Sequence, residues 1–123
     1  MKRDMDIIRK IILALQSADR PITSVPGISE IEFLIHGELI IEAGLAKGAV
    51  SPSGSKAGIP AKVILFRLTW EGQDFADSIT EDTLWEKVKE NILKPSASWS
   101  FSILLEYIKS ELRRRIPGLE KLP

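Results

Sequence analysis

The segment ISEIEFLIHGELIIEAGLAKG, Ile28 to Gly48, decides the fold because it holds the start, body and end of one helix. Ser29 followed by Glu32 is the pattern of a capping box, in which each side chain hydrogen-bonds to the other residue's backbone N–H. Gly44 marks the end, since glycine readily adopts the left-handed conformation that follows a helix. The segment predicts a helix from about Ser29 to Ala43, with the strand candidate LAKGAV after it.

The flanking segments predict a helix before this one and a hairpin after it. A helix is predicted over about Asp4 to Ser17, from the apolar residues Ile7, Ile8, Ile11, Ile12 and Leu15. The prolines and glycine of DRPITSVPG end that helix, and ITSV predicts a short strand. KVILFRLT is rich in β-branched and aromatic residues, so with LAKGAV and the loop SPSGSKAGIP it predicts a β-hairpin.

Three further helices are predicted towards the C-terminus. Thr69 is the expected N-cap of the first and Thr80 that of the second, whereas the third spans about Ser100 to Arg115. Gly72, at the start of the first of them, predicts close packing there because it lacks a side chain.

The order of elements is typical of a winged-helix domain: helix, short strand, helix and β-hairpin wing. We therefore predict a mostly helical α+β fold with a winged-helix-like core over about residues 4–69. Two or three appended helices occupy about residues 70–116, and the whole chain, residues 1–123, is predicted to be one domain. Trp70 and Trp85 are expected to bracket the appended helices against the core.

The opening segment also resembles the recognition helix and following strand of bacterial winged-helix regulators. The matching residues are Ser29, His36, Ala43, Gly44 and Leu45. One departure concerns the positioning helix that precedes the recognition helix in a complete helix-turn-helix. PITSVPG stands in its place, so that element is shortened or lost.

Nearly the full chain resembles an uncharacterised family of phages and prophages, number 2513 in the domain-of-unknown-function series. Four blocks carry this resemblance: MKRDMDIIRKIILAL, IHGELIIEAGL, RLTWEGQDFADSITEDTLWEKVKE and SWSFSILLEYIKSEL. The resemblance implies a winged-helix-like fold and a phage or prophage setting. It implies no established activity.

Composition excludes several classes of function. The 123 residues include no cysteine, which excludes disulfides, thiol catalysis and thiolate metal sites. The longest early apolar run, IILAL, is too short for a membrane span or a secretory signal, so a cytoplasmic protein without membrane contact is expected.

The sequence offers little chemistry for an enzyme. The only histidine, His36, lies one turn after Glu32, so the pair suggests a base with an orienting carboxylate, but a half-buried packing histidine is the favoured interpretation. No spacing typical of a metal site or a phosphate loop is present. We therefore expect no enzymatic activity and no catalytic residue, metal or cofactor.

Acidic and basic residues are segregated along the chain although the net charge is zero. Pro21 to Gly44 contains no Lys or Arg, and a recognition helix with only carboxylates would be repelled from DNA phosphates. Candidate protein-binding residues on acidic faces are Glu30, Glu38, Glu42, Asp74 and Asp77. Leu45 to Leu68 contains no acid, and its candidate nucleic-acid-binding residues on the wing are Lys56, Lys62 and Arg67.

The last helix raises the question of self-association. Ile103 and Tyr107 widen its apolar stripe, which makes them candidates for a homodimer interface, although core packing is the favoured interpretation for its aromatic residues. The run Arg113 to Arg115 is interpreted as a solvated helix end.

We expect a non-enzymatic phage-type protein that binds a macromolecular partner, more readily a protein such as a host factor or a host-defence component. The alternative is a DNA-binding transcriptional regulator that contacts phosphates through its basic wing.

Overall fold

The computed structural model describes residues 2–52, 58–94 and 100–116, and the chain divides into two compact units, Met1–Asp77 and Ser78–Pro123. The described residues form five α-helices and one two-stranded antiparallel hairpin. The predicted mostly helical α+β class is confirmed. The winged-helix assignment and the single domain stay predictions.

Helix α1, Met5–Ser17, forms because its apolar residues recur on one side and its first turn is capped. The Asp4 carboxylate accepts hydrogen bonds from the backbone N–H groups of Asp6 and Ile7, which have no partner within the helix. The predicted apolar stripe is buried, and consists of Ile7, Ile8, Ile11, Ile12 and Leu15.

Helix α2, Glu30–Glu42, begins at the predicted capping box. The Ser29 N–H donates to Glu32 Oε1 at 3.0 Å, and the Glu32 N–H donates to Ser29 Oγ at 3.1 Å. Gly44 follows the helix with a φ of +76°, which confirms its predicted role at the end. The helix contacts α1 and both strands, and its buried residues are Phe33, His36, Gly37 and Ile40.

The hairpin consists of β1, Ala46–Ser51, and β2, Lys62–Leu68, paired antiparallel. The predicted short strand before α2 is reduced to a single bridge on the other edge of β2. Ile22 and Leu65 exchange two backbone hydrogen bonds there, of 2.9 and 3.0 Å.

Helix α3, Trp70–Ser78, begins directly after Thr69, the predicted N-cap. The Gly72 N–H donates to Thr69 Oγ1 at 3.0 Å. A Cβ atom on Gly72 would lie 1.8 Å from the Leu45 carbonyl oxygen, so only glycine lets the start of α3 approach the chain this closely. The predicted close packing at Gly72 is thus confirmed.

In the second unit, α4, Asp82–Val88, continues into a π-helical turn, Lys89–Leu93, and α5 spans Phe101–Arg115. Helices α4 and α5 contact each other. The prediction that Thr80 caps α4 is wrong. The N-cap residue is Glu81, because the helix begins one residue later than its sequence suggests.

Candidate functional site

Helix α2 presents a line of side chains on the face opposite its buried residues. The line follows helical spacings of four, three and four residues, and consists of Ile31, Ile35, Glu38 and Glu42. Ile31 is 51% exposed and Glu42 is exposed, whereas the two between them are partly exposed. The exposed side of α2 is therefore apolar in its first half and acidic in its second.

Helix α3 presents a second line, formed by Trp70, Asp74 and Asp77 at spacings of four and three residues. Trp70 is 80% exposed, so the prediction that Trp70 packs against the core is wrong, whereas Trp85 is buried. The reason is helical phase. Gly72 must face Leu45, and a residue two positions earlier lies about 200° away around the helix.

The chain just after α2 is hydrogen-bonded to the residue that precedes α3. Thr69 Oγ1 donates to the Gly44 carbonyl oxygen at 2.6 Å, and the Thr69 N–H donates to the Leu45 carbonyl oxygen at 3.0 Å. Glu42 lies two residues before this join on one side, and Trp70 follows it directly on the other. We call five residues of the two lines the acidic face, which comprises Glu38, Glu42, Trp70, Asp74 and Asp77.

The carboxylates of the acidic face are not neutralised within the part of the chain that the structure describes. No ion pair there involves Glu38, Glu42 or Asp74. Asp77 Oδ1 accepts a hydrogen bond from Gln16 Nε2 at 2.8 Å, which ties the end of α3 to α1. The face therefore carries net negative charge that is available to a partner.

Glu30 does not join the other four predicted acidic residues. It is exposed at the start of α2, about 18 Å along the helix axis from Glu42, and it lies off the exposed line. Glu38 and Glu42 thus lie on the α2 line and Asp74 and Asp77 on the α3 line, whereas Glu30 lies on neither.

The hairpin has an exposed basic side that contains a β-bulge. Lys47 pairs with Arg67 and Gly48 pairs with Leu65, so Phe66 is the extra residue. Strict alternation would bury Arg67, but the bulge lets Phe66 and Arg67 both face outward while Leu68 is buried. Phe66 is 47% exposed.

The exposed cations of the hairpin have no acidic counterpart on either strand. Lys47 lies opposite Arg67 across the strands, an arrangement of like charges that is unfavourable in isolation. Lys62 is exposed at the other end of β2, and the predicted Lys56 falls outside the described residues. We call the surface of Lys47, Lys62, Phe66 and Arg67 the basic face of the hairpin.

His36 is a buried packing residue, only 1% exposed. Its Nε2 accepts a hydrogen bond from the Asp4 backbone N–H at 3.0 Å, so the proton is on Nδ1, which donates to the Glu32 carbonyl oxygen at 2.8 Å. The suggested bond to the Glu32 carboxylate is wrong, because that carboxylate accepts from Ser29 instead. Both ring nitrogens are thus occupied by backbone groups, and neither is free to act as a general base.

The capping box changes the acidity of Glu32. Hydrogen bonds from the backbone and side chain of Ser29 lower the pKa of Glu32, because they favour the ionised carboxylate. The positive charge of Lys10 acts weakly in the same direction. In the second unit, a hydrogen bond from Lys94 lowers the pKa of Glu90.

Neither a metal cluster nor a membrane span is found among residues 2–52, 58–94 and 100–116. No group of three or more His, Asp or Glu side chains in those ranges is arranged to hold a metal ion. No described helix combines the length and the apolar character needed to cross a membrane.

The two residues predicted for a dimer helix differ in their surroundings. Ile103 is half exposed on α5. Tyr107 is partly exposed, and its hydroxyl accepts a hydrogen bond from Asn91 Nδ2 at 2.8 Å within the same unit. Tyr107 therefore has a structural role inside the unit, and only Ile103 presents a large apolar side chain outward.

Sequence reasoning missed Trp70 and Phe66 as exposed aromatic residues, and it missed Lys47 as the partner of Arg67. A signal for Trp70 was present, since Trp70, Asp74 and Asp77 recur at helical spacing. The signal for Phe66 was weaker, because a bulge depends on the register between two strands.

Comparison with known proteins places the chain in a family. The model of the family described as Hypothetical protein (DUF2513) matches residues 2–98. A curated protein from Haemophilus influenzae (strain Rd), named Uncharacterized protein, is 29% identical over 109 residues, which cover 85% of this chain and 89% of that protein. No solved structure matches. The chain therefore belongs to the family described as Hypothetical protein (DUF2513).

Proposed function

We propose that this protein is not an enzyme and acts by binding another protein through its acidic face. One observation carries the proposal: Trp70 is 80% exposed at the head of a line that continues with Asp74 and Asp77. Exposed tryptophan is costly in water and, once buried by a partner, is among the residues that contribute most to protein–protein affinity.

The charges of the acidic face favour a partner with a basic segment. Unpaired carboxylates attract Lys and Arg side chains over a distance and accelerate association, an effect that salt weakens. The indole ring of Trp70 adds an aromatic face against which a cationic side chain can pack. We infer that the partner presents Lys or Arg residues beside an apolar anchor.

The winged-helix arrangement and the phage setting belong to the same proposal. The bridge between Ile22 and Leu65 adds a third, minimal strand to the hairpin, and α1, this bridge, α2 and the hairpin follow the winged-helix order. Helix α2 then occupies the place of a recognition helix. It carries carboxylates at positions where a DNA-binding helix needs cationic side chains. The resemblance to phage and prophage proteins makes a bacterial host protein the first partner to seek.

The experiment has two stages. Tagged protein captures partners from lysate of a bacterial host, mass spectrometry identifies them, and a purified partner is titrated by calorimetry. Trp70→Ala is expected to weaken binding by about 30-fold or more, the scale of an interface hot spot. Asp74→Lys is also expected to weaken binding, because it replaces attraction by repulsion. The loss of affinity should be larger at lower salt concentration.

The matched control is Glu106→Lys, which reverses an exposed acid on α5, outside the acidic face. It should bind as the unmodified protein does. If Trp70→Ala and Asp74→Lys also bind unchanged, the acidic face is not the site. If every captured protein binds only through nucleic acid and is lost after nuclease treatment, protein binding itself is refuted.

The alternative is a DNA-binding regulator that contacts phosphates through its wing. The exposed Lys62 and Arg67, on strands without acids, favour it. It predicts tight, sequence-dependent binding to duplex DNA that is lost in Lys56→Glu with Lys62→Glu. Such binding at physiological salt would replace the protein-binding proposal.

A further inference from the structure

The basic face of the hairpin pairs exposed cations with an exposed aromatic ring. The bulge sends Phe66 and Arg67 to the same outer side of β2, and Lys47 lies opposite Arg67 on β1. Phe66 is 47% exposed, and no ion pair in the described ranges involves Lys47, Lys62 or Arg67.

We propose that the basic face of the hairpin binds single-stranded nucleic acid, with a base stacked on Phe66 and the flanking phosphates on Lys47 and Arg67. A partner with negative charge relieves the repulsion between these two cations, which the hairpin itself leaves unrelieved. The inference is independent of the proposed protein partner, because it uses a different surface.

The aromatic ring distinguishes a nucleic acid from other polyanions. An acidic polypeptide would satisfy the cations, but it would leave the Phe66 ring exposed or only loosely covered. A nucleobase covers the ring by stacking, and cationic grooves lined with aromatic side chains are the usual means of binding single strands without sequence preference.

The acidic residues of α2 distinguish a single strand from a duplex. A duplex that is bound by a winged-helix protein in the usual way also brings its phosphates towards the recognition helix. Here that helix exposes Glu38 and Glu42 and has no cation, so a duplex would be repelled. Bases in a duplex are also stacked on each other, whereas a single strand can turn a base onto Phe66.

The bulge is the reason that the side chains of Phe66 and Arg67 lie on the same surface of the hairpin. Without the extra residue, Arg67 would point to the buried side of the hairpin and Leu68 would be exposed. The bulged strand therefore places a ring and a guanidinium on neighbouring residues of one surface. Arg67 Nη1 also donates to the Leu68 carbonyl oxygen at 3.1 Å, which helps hold the guanidinium in position.

Fluorescence anisotropy with a labelled oligothymidylate of about 12 nucleotides, within the usual site sizes, tests the inference on the full chain. We expect binding that weakens as salt rises from about 50 to 200 mM. Phe66→Ala should weaken binding roughly 5- to 150-fold, whereas Phe66→Trp should keep or strengthen it. Arg67→Gln should weaken binding and reduce the salt dependence by about one phosphate contact.

Any of the following results would overturn the inference. The first is no binding at about 50 mM salt. The second is tighter binding to a duplex of the same length than to the single strand. The third is equal binding by Phe66→Ala and the unmodified protein, or equal binding of a polyglutamate of the same charge, since either outcome would mean that stacking contributes nothing.

Two controls separate this surface from the acidic face. Asp74→Lys and Trp70→Ala change the acidic face, so the loss of the ring or of the charge there should not reduce binding of the oligonucleotide. Circular dichroism of Phe66→Ala checks that the variant is folded. Failure of the oligonucleotide titration leaves the protein-binding proposal intact, because that proposal is tested with different variants and a different ligand.

Discussion

His36 fastens the start of α1 to α2, because its Nε2 accepts the backbone N–H of Asp4 at 3.0 Å across 32 residues of sequence. The same ring donates from Nδ1 to the Glu32 carbonyl oxygen within α2. Although His36 matches a residue of the recognition helix of regulators, in this chain it links the start of α1 to α2.

His36→Ala is therefore expected to lower the free energy of unfolding by about 2–4 kcal/mol, since it removes a buried side chain and its hydrogen bonds to two backbone groups. His36→Gln keeps a polar group that can reach one of them, so a smaller loss is expected. Urea unfolding followed by circular dichroism measures both. An unchanged midpoint for His36→Ala would show that the Asp4 contact does not stabilise the fold.

Gly72→Ala is expected to destabilise the protein by more than about 3 kcal/mol. The new Cβ would lie 1.8 Å from the Leu45 carbonyl oxygen, and this backbone atom can yield only if α3 or the end of α2 shifts. The neighbouring variant Gln73→Ala, at an exposed position of the same helix, is the control and should change stability by less than about 0.5 kcal/mol. A stable Gly72→Ala would contradict the close approach.

The capping box predicts a pH dependence. The pKa of Glu32 is lowered in the folded chain from its ordinary value of 4.5, chiefly by hydrogen bonds from Ser29. Its carboxylate therefore stabilises the fold above the unfolded pKa, and this contribution is lost as pH falls through the folded pKa. Glu32→Gln should be less stable than the unmodified protein at neutral pH, and the two unfolding curves should converge in acid.

Ser29→Ala provides the matching measurement. NMR titration of the Glu32 carboxyl should show its pKa moving back towards 4.5, because the side-chain hydrogen bond is gone, while the hydrogen bond from the backbone N–H of residue 29 keeps part of the shift. Loss of the cap should also cost about 1 kcal/mol of stability. A gap between Glu32→Gln and the unmodified protein that stays constant into acid would refute the linkage.

Local signals in the sequence predicted most element boundaries, because caps and breakers act over a few residues. Ser29 with Glu32, Gly44 and Thr69 each lie where their sequence patterns indicated. Thr80 failed as a cap since hydroxyl residues are common near helix starts and the pattern does not distinguish neighbouring positions.

The candidate surfaces depend on contacts between distant residues, which explains why they were predicted only in part. The acidic residues could be counted, but the hydrogen bond between Thr69 and Gly44, which links the end of α2 to the start of α3, joins residues 25 positions apart. The exposure of Trp70 follows from the approach of Gly72 to Leu45. The outward direction of Phe66 follows from one extra residue in the register of two strands, which no periodicity in a single strand reveals.

Trp70→Ala and Phe66→Ala are expected to leave stability almost unchanged although both remove large aromatic side chains. Trp70 is 80% exposed and Phe66 47% exposed, so truncation should change the free energy of unfolding by less than about 0.5 kcal/mol for Trp70 and by less than about 1 kcal/mol for Phe66. Trp85→Ala, at a buried tryptophan, is the contrasting control and should cost about 3–5 kcal/mol. Urea unfolding of the three variants ranks them directly. A large loss for Trp70→Ala would mean that Trp70 stabilises the fold, and the main argument for a partner at the acidic face would then be lost.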